Sequence, residues 1–162
     1  VKRMAQDEVV DVKFNGVEKA EPCLEALEAI EKSKGIIISP SNPIVSIGPI
    51  LAVKGFKETL KKFKNKVIAV TPIIRNAPVK GPADKLMKGL GLNVSAYTVA
   101  TLYKEFIAHF ILDKRDLTLR DKIEKLGIKV IVTNTLMKNL KDKVKLANVI
   151  LKSFKEVEFN EN

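Results

Sequence analysis

Three stretches of the chain are apolar at nearly every position, and amphipathic segments separate them. They are Gly35-Ile36-Ile37-Ile38, Val67-Ile68-Ala69-Val70 and Ile128-Lys129-Val130-Ile131-Val132. A short β-branched run without alternation is the pattern of a parallel strand covered on both faces, so strands are predicted over 36–38, 67–70 and 128–132. Phe110-Ile111-Leu112 predicts a fourth, shorter one. Residues 9–14 alternate loosely and end at Asn15-Gly16, a strong turn dipeptide, which predicts a hairpin or an edge strand. Helices are predicted where apolar residues recur at i, i+3, i+4 and i+7. One is opened by Pro22 and ends before Gly35, and others lie near 95–109, 117–126 and 139–154. The 95–109 pattern is capped by Ser95 and places His109 at its end. Strand and helix alternate, which predicts an α/β fold. We expect a three-layer sandwich with a mostly parallel, Rossmann-like sheet, in one domain over 1–162.

Composition changes this picture little. With 46% hydrophobic and 30% charged residues the chain has an ordinary globular balance. No apolar run approaches the roughly 20 residues that span a bilayer. The single cysteine, Cys23, leaves no internal disulfide and points to a reducing, cytoplasmic setting. Charge adds more: 29 basic against 19 acidic residues give +10, which suits anionic ligands. The lysines, such as Lys57, Lys61, Lys62 and Lys64, are spread along amphipathic helices, and aromatics make up only 6% of the chain. Nucleic acid is therefore not expected as a partner.

Ligands of open parallel sheets bind beyond the carboxyl ends of the strands, so the segments that follow each run carry the candidate chemistry. After Ile38 comes Ser39-Pro40-Ser41-Asn42-Pro43-Ile44-Val45-Ser46-Ile47-Gly48-Pro49. Pro49 suits a first helical position with Gly48 at the cap, and free N–H groups there would suit phosphate. After Val70, Thr71-Pro72 leads to Lys80-Gly81-Pro82 and another helix. Lys80 would stand at the positive end of that helix, an unfavourable place unless an anion is bound. Ser41, Asn42, Ser46, Gly48, Lys80 and Gly81 are therefore the candidate residues of one anion pocket. The simpler reading is that Asn42 and Ser46 only brace their own loop. Thr133-Asn134-Thr135 after the third run adds polar groups to the same rim. Asp113 and Asp116 are read as helix caps, not metal ligands. Neither a Walker A sequence nor Gly-x-Gly-x-x-Gly occurs.

The loop 39–49 with its continuation Ile50-Leu51-Ala52-Val53 resembles the signature of the 2-phospho-L-lactate transferase family. So do Val70-Thr71-Pro72-Ile73, Val79-Lys80-Gly81-Pro82-Ala83, Leu90-Gly91-Leu92-Asn93-Val94-Ser95-Ala96 and Leu126 to Met137. Ser39 departs from the pattern, which usually has glycine there. The resemblance implies transfer of a phospholactyl or phosphoenolpyruvyl group from a guanosine diphosphate-activated donor to the deazaflavin Fo, a step of coenzyme F-420 biosynthesis assisted by magnesium. It also implies that this chain matches the C-terminal half of a protein about twice as long. The first half of such a protein carries a Gly-rich nucleotide loop and the acidic magnesium ligands, so no metal ligand is expected in this chain. A half of this kind would pair with another chain or with a second copy. Two other functions compete: a non-catalytic module of the same fold that binds nucleotides or sugar nucleotides, and a basic domain that binds nucleic acid.

Overall fold

The computed structural model describes residues 9–158, centred on a four-stranded parallel sheet. Its strands run in the order β1-β2-β5-β6, with β1 at Ile36–Ile38, β2 at Val67–Val70, β5 at His109–Asp113 and β6 at Lys129–Thr133. Between β2 and β5 lies a small antiparallel hairpin, β3 (Ile73–Ile74) and β4 (Ala77–Pro78). The helices are α1 (Leu24–Lys32), α2 (Gly48–Ala52), α3 (Phe56–Lys62), α4 (Ala83–Gly89), α5 (Ala96–Tyr103), α6 (Arg120–Glu124) and α7 (Leu140–Glu158). The expected α/β sandwich is therefore present. None of the described helices is long and apolar enough to cross a membrane.

The parallel sheet is built in the order of the sequence, each strand beside the one before it. Parallel crossovers are nearly always right-handed, so a sheet that grows steadily in one direction stacks its crossover helices on one face. That face carries Ile38, Ala69, Phe110 and Val130, aligned across the four strands. Against it pack Ile30 of α1, Leu51 of α2, Leu60 of α3, Met87 of α4, Val99 and Ala100 of α5 and Ile123 of α6. Among the described helices only α7 serves the opposite face, where Leu146, Ile150 and Phe154 cover Ile68, Val70, Ile111 and Ile131. This cover is partial: Ile37, on the same face of the outer strand β1, is 45% exposed, and Val144 and Leu151 of α7 are exposed as well. At the far end of α7 the Phe154 ring lies where a Cβ on Gly35 would come within 2.6 Å, so glycine lets the helix close down on the start of β1.

Several local expectations are corrected. Residues 9–14 form no strand or hairpin but an irregular strap over the helices. A Cβ on Gly89 would overlap the Val9 carbonyl, and one on Gly48 would stand 3.0 Å from the Phe14 ring. Alternation in this strap thus reflects two helix contacts and not a pleat. The helix expected over 95–109 stops at Tyr103, because Phe106 and Ile107 turn back to bond the Tyr103 carbonyl and plug the core. His109 accordingly opens β5, where it is nearly buried, with Lys129 beside it in register. Of the helix expected at 117–126, the first part is a 3-10 segment, Lys114–Leu119, with α6 following.

Candidate functional site

The carboxyl ends of β1 and β2 are neighbours, and the segments leaving them enclose a cavity of about 130 Å³. Its walls include Pro40 and Asn42 from the first segment, Thr71 and Lys80 from the second, and Thr135 and Met137 from beyond β6. The two loops expected to share a crevice do share one, and Asn42 and Lys80 meet in it. Ser41, Ser46, Gly48 and Gly81 are not among its walls.

The first segment becomes helical earlier than expected. Asn42 is its cap: the Oδ1 atom accepts from the N–H of Ile44 at 2.9 Å and of Val45 at 3.3 Å, and Pro43 occupies the first helical position. A π-helical turn, Pro43–Ile47, then runs directly into α2. Ser46 and Ile47 both donate their N–H to the Asn42 carbonyl at 3.1 Å. Gly48 is thus inside a helix with φ −51°, not at its cap, and its lack of a side chain allows the close approach of Phe14. Ser46 is exposed, and Ser41 is half-buried with its N–H bonded to the Ser39 carbonyl. Asn42 spends its side-chain oxygen on the loop, as the simpler reading anticipated, and its amide nitrogen has no partner among the described residues.

The second segment reaches Lys80 by way of the β3–β4 hairpin. Thr71 is fully buried and its hydroxyl folds the chain at the end of β2, donating to the Ile73 carbonyl at 2.9 Å. Arg75 and Asn76 form the hairpin tip with φ values of 51° and 59°. Asp116 holds that tip, both of its carboxylate oxygens accepting from the Arg75 N–H at 3.1 and 3.0 Å. It therefore braces the hairpin and caps no helix, contrary to expectation. Gly81 follows with φ 78° and open space around its Cα, so backbone conformation and not crowding calls for glycine there. Lys80 is exposed at the cavity and has no carboxylate partner among the described residues.

Asp113 was expected as a cap, and it does accept from the Arg115 N–H at 2.9 Å, but it does much more. Its completely buried carboxylate holds the Arg115 guanidinium through Nε at 2.7 Å and Nη2 at 3.0 Å. It also accepts from the Thr135 N–H at 2.8 Å and the Thr135 hydroxyl at 3.0 Å. Burial alone would raise this carboxyl, but the bonds from Arg115 and Thr135 outweigh it and hold the group well below the usual carboxylate range. These bonds draw the chain after β6 back over the end of β5, and so bring Thr135 into a cavity that opens at β1 and β2. Sequence reasoning placed Thr135 on the rim but missed Arg115. The only local signal was the Asp-x-Arg spacing at the end of an apolar run.

Among the described residues no group of three or more His, Cys, Asp and Glu side chains could hold a metal ion. Asp113, at the carboxyl end of β5, has both oxygens committed. The described residues therefore do not fit a magnesium site, and no chemical step is derived through one.

Residues 1–140 match the family described as 2-phospho-L-lactate transferase CofD. The chain is 42% identical to the 2-phospho-L-lactate transferase of Methanococcoides burtonii over 157 residues, covering 97% of this chain and 51% of that protein. It is 44% identical to the enzyme of that name from Methanocaldococcus jannaschii over 151 residues, covering 93% of this chain and 47% of that protein. The corresponding protein of Methanosarcina barkeri is 44% identical over 149 residues, covering 92% and 48%. The chain spans about half the length of the curated relatives it matches.

Proposed function

Because the chain belongs to the 2-phospho-L-lactate transferase family, we propose that it supplies one wall of that transferase's active site. In this reading a phospholactyl or phosphoenolpyruvyl group moves from a guanosine diphosphate-activated donor to the side-chain hydroxyl of the deazaflavin Fo, and GMP leaves. The observation that carries the reading is the meeting of Asn42 and Lys80 in one cavity at adjacent strand ends. Lys80 there offsets charge on the donor diphosphate, and the Asn42 amide donates to an oxygen. Fixed donors of this kind stabilise charge as a phosphate bond breaks, because they need no reorganisation during the reaction. The magnesium implied by the family is proposed to draw its ligands from the other half of the family's length.

Titration calorimetry with GDP, Fo and a short DNA duplex tests this. Saturable binding of both GDP and Fo is expected. GDP binding without Fo favours the non-catalytic nucleotide module instead, and binding of DNA alone with steep salt dependence overturns the reading.

We also infer that the partly covered α7 face and the free edge of β1 are sites of association, with a paired chain or a second copy. Ile37 of β1 and Val144 and Leu151 of α7 leave apolar surface exposed, and β1 has no outer neighbour among the described residues. Sedimentation is expected to show concentration-dependent association of the isolated chain. A single monomeric species at high concentration would refute it.

A further inference from the structure

A second hollow lies at the other end of the β3–β4 hairpin from the crevice. The crevice touches the base of the hairpin at Pro72 and Val79, whereas this hollow is bounded by Asn76 at its tip. Its volume is about 630 Å³, inside the usual range for small-molecule sites. Lys88 at the end of α4 and Lys122 in α6 bring two ammonium groups to it, and no acidic side chain lines it. Neither lysine has a carboxylate partner among the described residues. The Lys122 ammonium rests instead 4.0 Å above the Tyr97 ring. Leu92 and Tyr97 give an apolar floor, and the Asn76 and Asn93 side chains add amides that have no partner among the described residues.

We propose that this hollow binds a phosphorylated, hydroxyl-bearing small molecule, a sugar phosphate up to the size of a mononucleotide. Two cations without carboxylate partners among the described residues, in a hollow that no acidic side chain lines, favour an anion such as phosphate. The amides of Asn76 and Asn93 suit the hydroxyls of a sugar, and the apolar floor suits its carbon face. The site is rigid where it matters. Asn76 sits on a turn held by Asp116 through Arg75, and the loop leading into α5 is fixed by Ser95, whose hydroxyl accepts from the Thr98 N–H at 3.0 Å. Less ordering is then lost on binding. This site is independent of the donor crevice, since it shares no lining residue with it.

The experiment is an NMR titration of the whole chain at fixed ionic strength with ribose 5-phosphate and, separately, with unphosphorylated ribose. Ribose 5-phosphate is expected to shift amides of residues 92–98 and 119–122 saturably, and ribose to bind at least about tenfold more weakly. Lys88→Ala and Lys122→Ala each weaken the sugar phosphate by about tenfold. Lys80→Ala, in the crevice, leaves it unchanged. Both hollow lysines are exposed, so the variants fold, which their unaltered spectra without ligand will show. The proposal is overturned by equal binding of ribose and its phosphate, by shifts confined to the crevice, by loss in Lys80→Ala alone, or by no saturable shift.

Discussion

Asp113→Ala is expected to lower the stability of the chain by about 3 kcal/mol, the lower part of the range for breaking a buried charge pair. Two costs combine. The buried N–H and hydroxyl of Thr135 lose their acceptor, and an orphaned buried donor costs about 1–3 kcal/mol. Arg115 loses a bidentate partner, but its side chain is 29% exposed and regains water, which keeps the total from the top of the range. Asp113→Asn keeps one oxygen for Thr135 and is expected to be milder. Urea unfolding measures both, and a loss below about 1 kcal/mol for the alanine variant would show that the hub is not structural. The pH dependence follows from the lowered folded-state value. The unfolded carboxyl titrates near 3.8, so the contribution of Asp113 is complete above that and fades as pH falls below it toward the folded value. The gap between the native chain and Asp113→Ala should be constant near neutrality and narrow only in acid.

Lys80→Ala is expected to weaken GDP binding by about tenfold or more, since a well-formed charged hydrogen bond to phosphate contributes about 1.5–3 kcal/mol. Lys80 is exposed and has no protein partner among the described residues, so the fold should not notice its loss. Lys62→Ala, on the exposed surface of α3, is the matched control and should leave affinity unchanged. Both are to be measured on this chain and on a chain extended to the family's full length. Equal GDP affinities for the two variants would remove Lys80 from the pocket.

The strands were the most legible part of the fold. Runs at 36–38 and 67–70 coincide with β1 and β2, and 128–132 is displaced by one residue from β6. The run at 67–70 is readable because burial on both faces leaves no polar position to confuse the period, whereas β1 and β6, with Ile37 and Lys129 exposed, are read from their β-branched residues. Helix ends were harder. Phe106 and Ile107 continue the apolar period of α5 although the chain has already turned, because a loop that plugs a core is as apolar as a helix face. Of the site, Asn42 and Lys80 could be found from their place after an apolar strand. The joint role of Asp113, Arg115 and Thr135 could not, because it depends on a contact between β5 and the segment after β6. No local period records that contact. The β3–β4 hairpin escaped for a similar reason: its turn, Arg75-Asn76, lacks glycine and is stabilised from a distance by Asp116.

The cover of one sheet face by a single helix at the end of the chain has a consequence for synthesis. As the chain leaves the ribosome, each strand that joins the sheet already has its crossover helices, so the α1–α6 face can close step by step. Ile68, Val70, Ile111 and Ile131 have no such local partner and stay wet until α7 is complete. Pairing Phe154 with Gly35 then brings α7 onto the start of β1, a slow contact by its sequence separation. Until that moment a nascent chain carries an apolar strip beside the free edge of β1, the kind of surface that chaperones hold and that neighbouring chains adhere to. The arrival of α7 is the step that removes this strip from water.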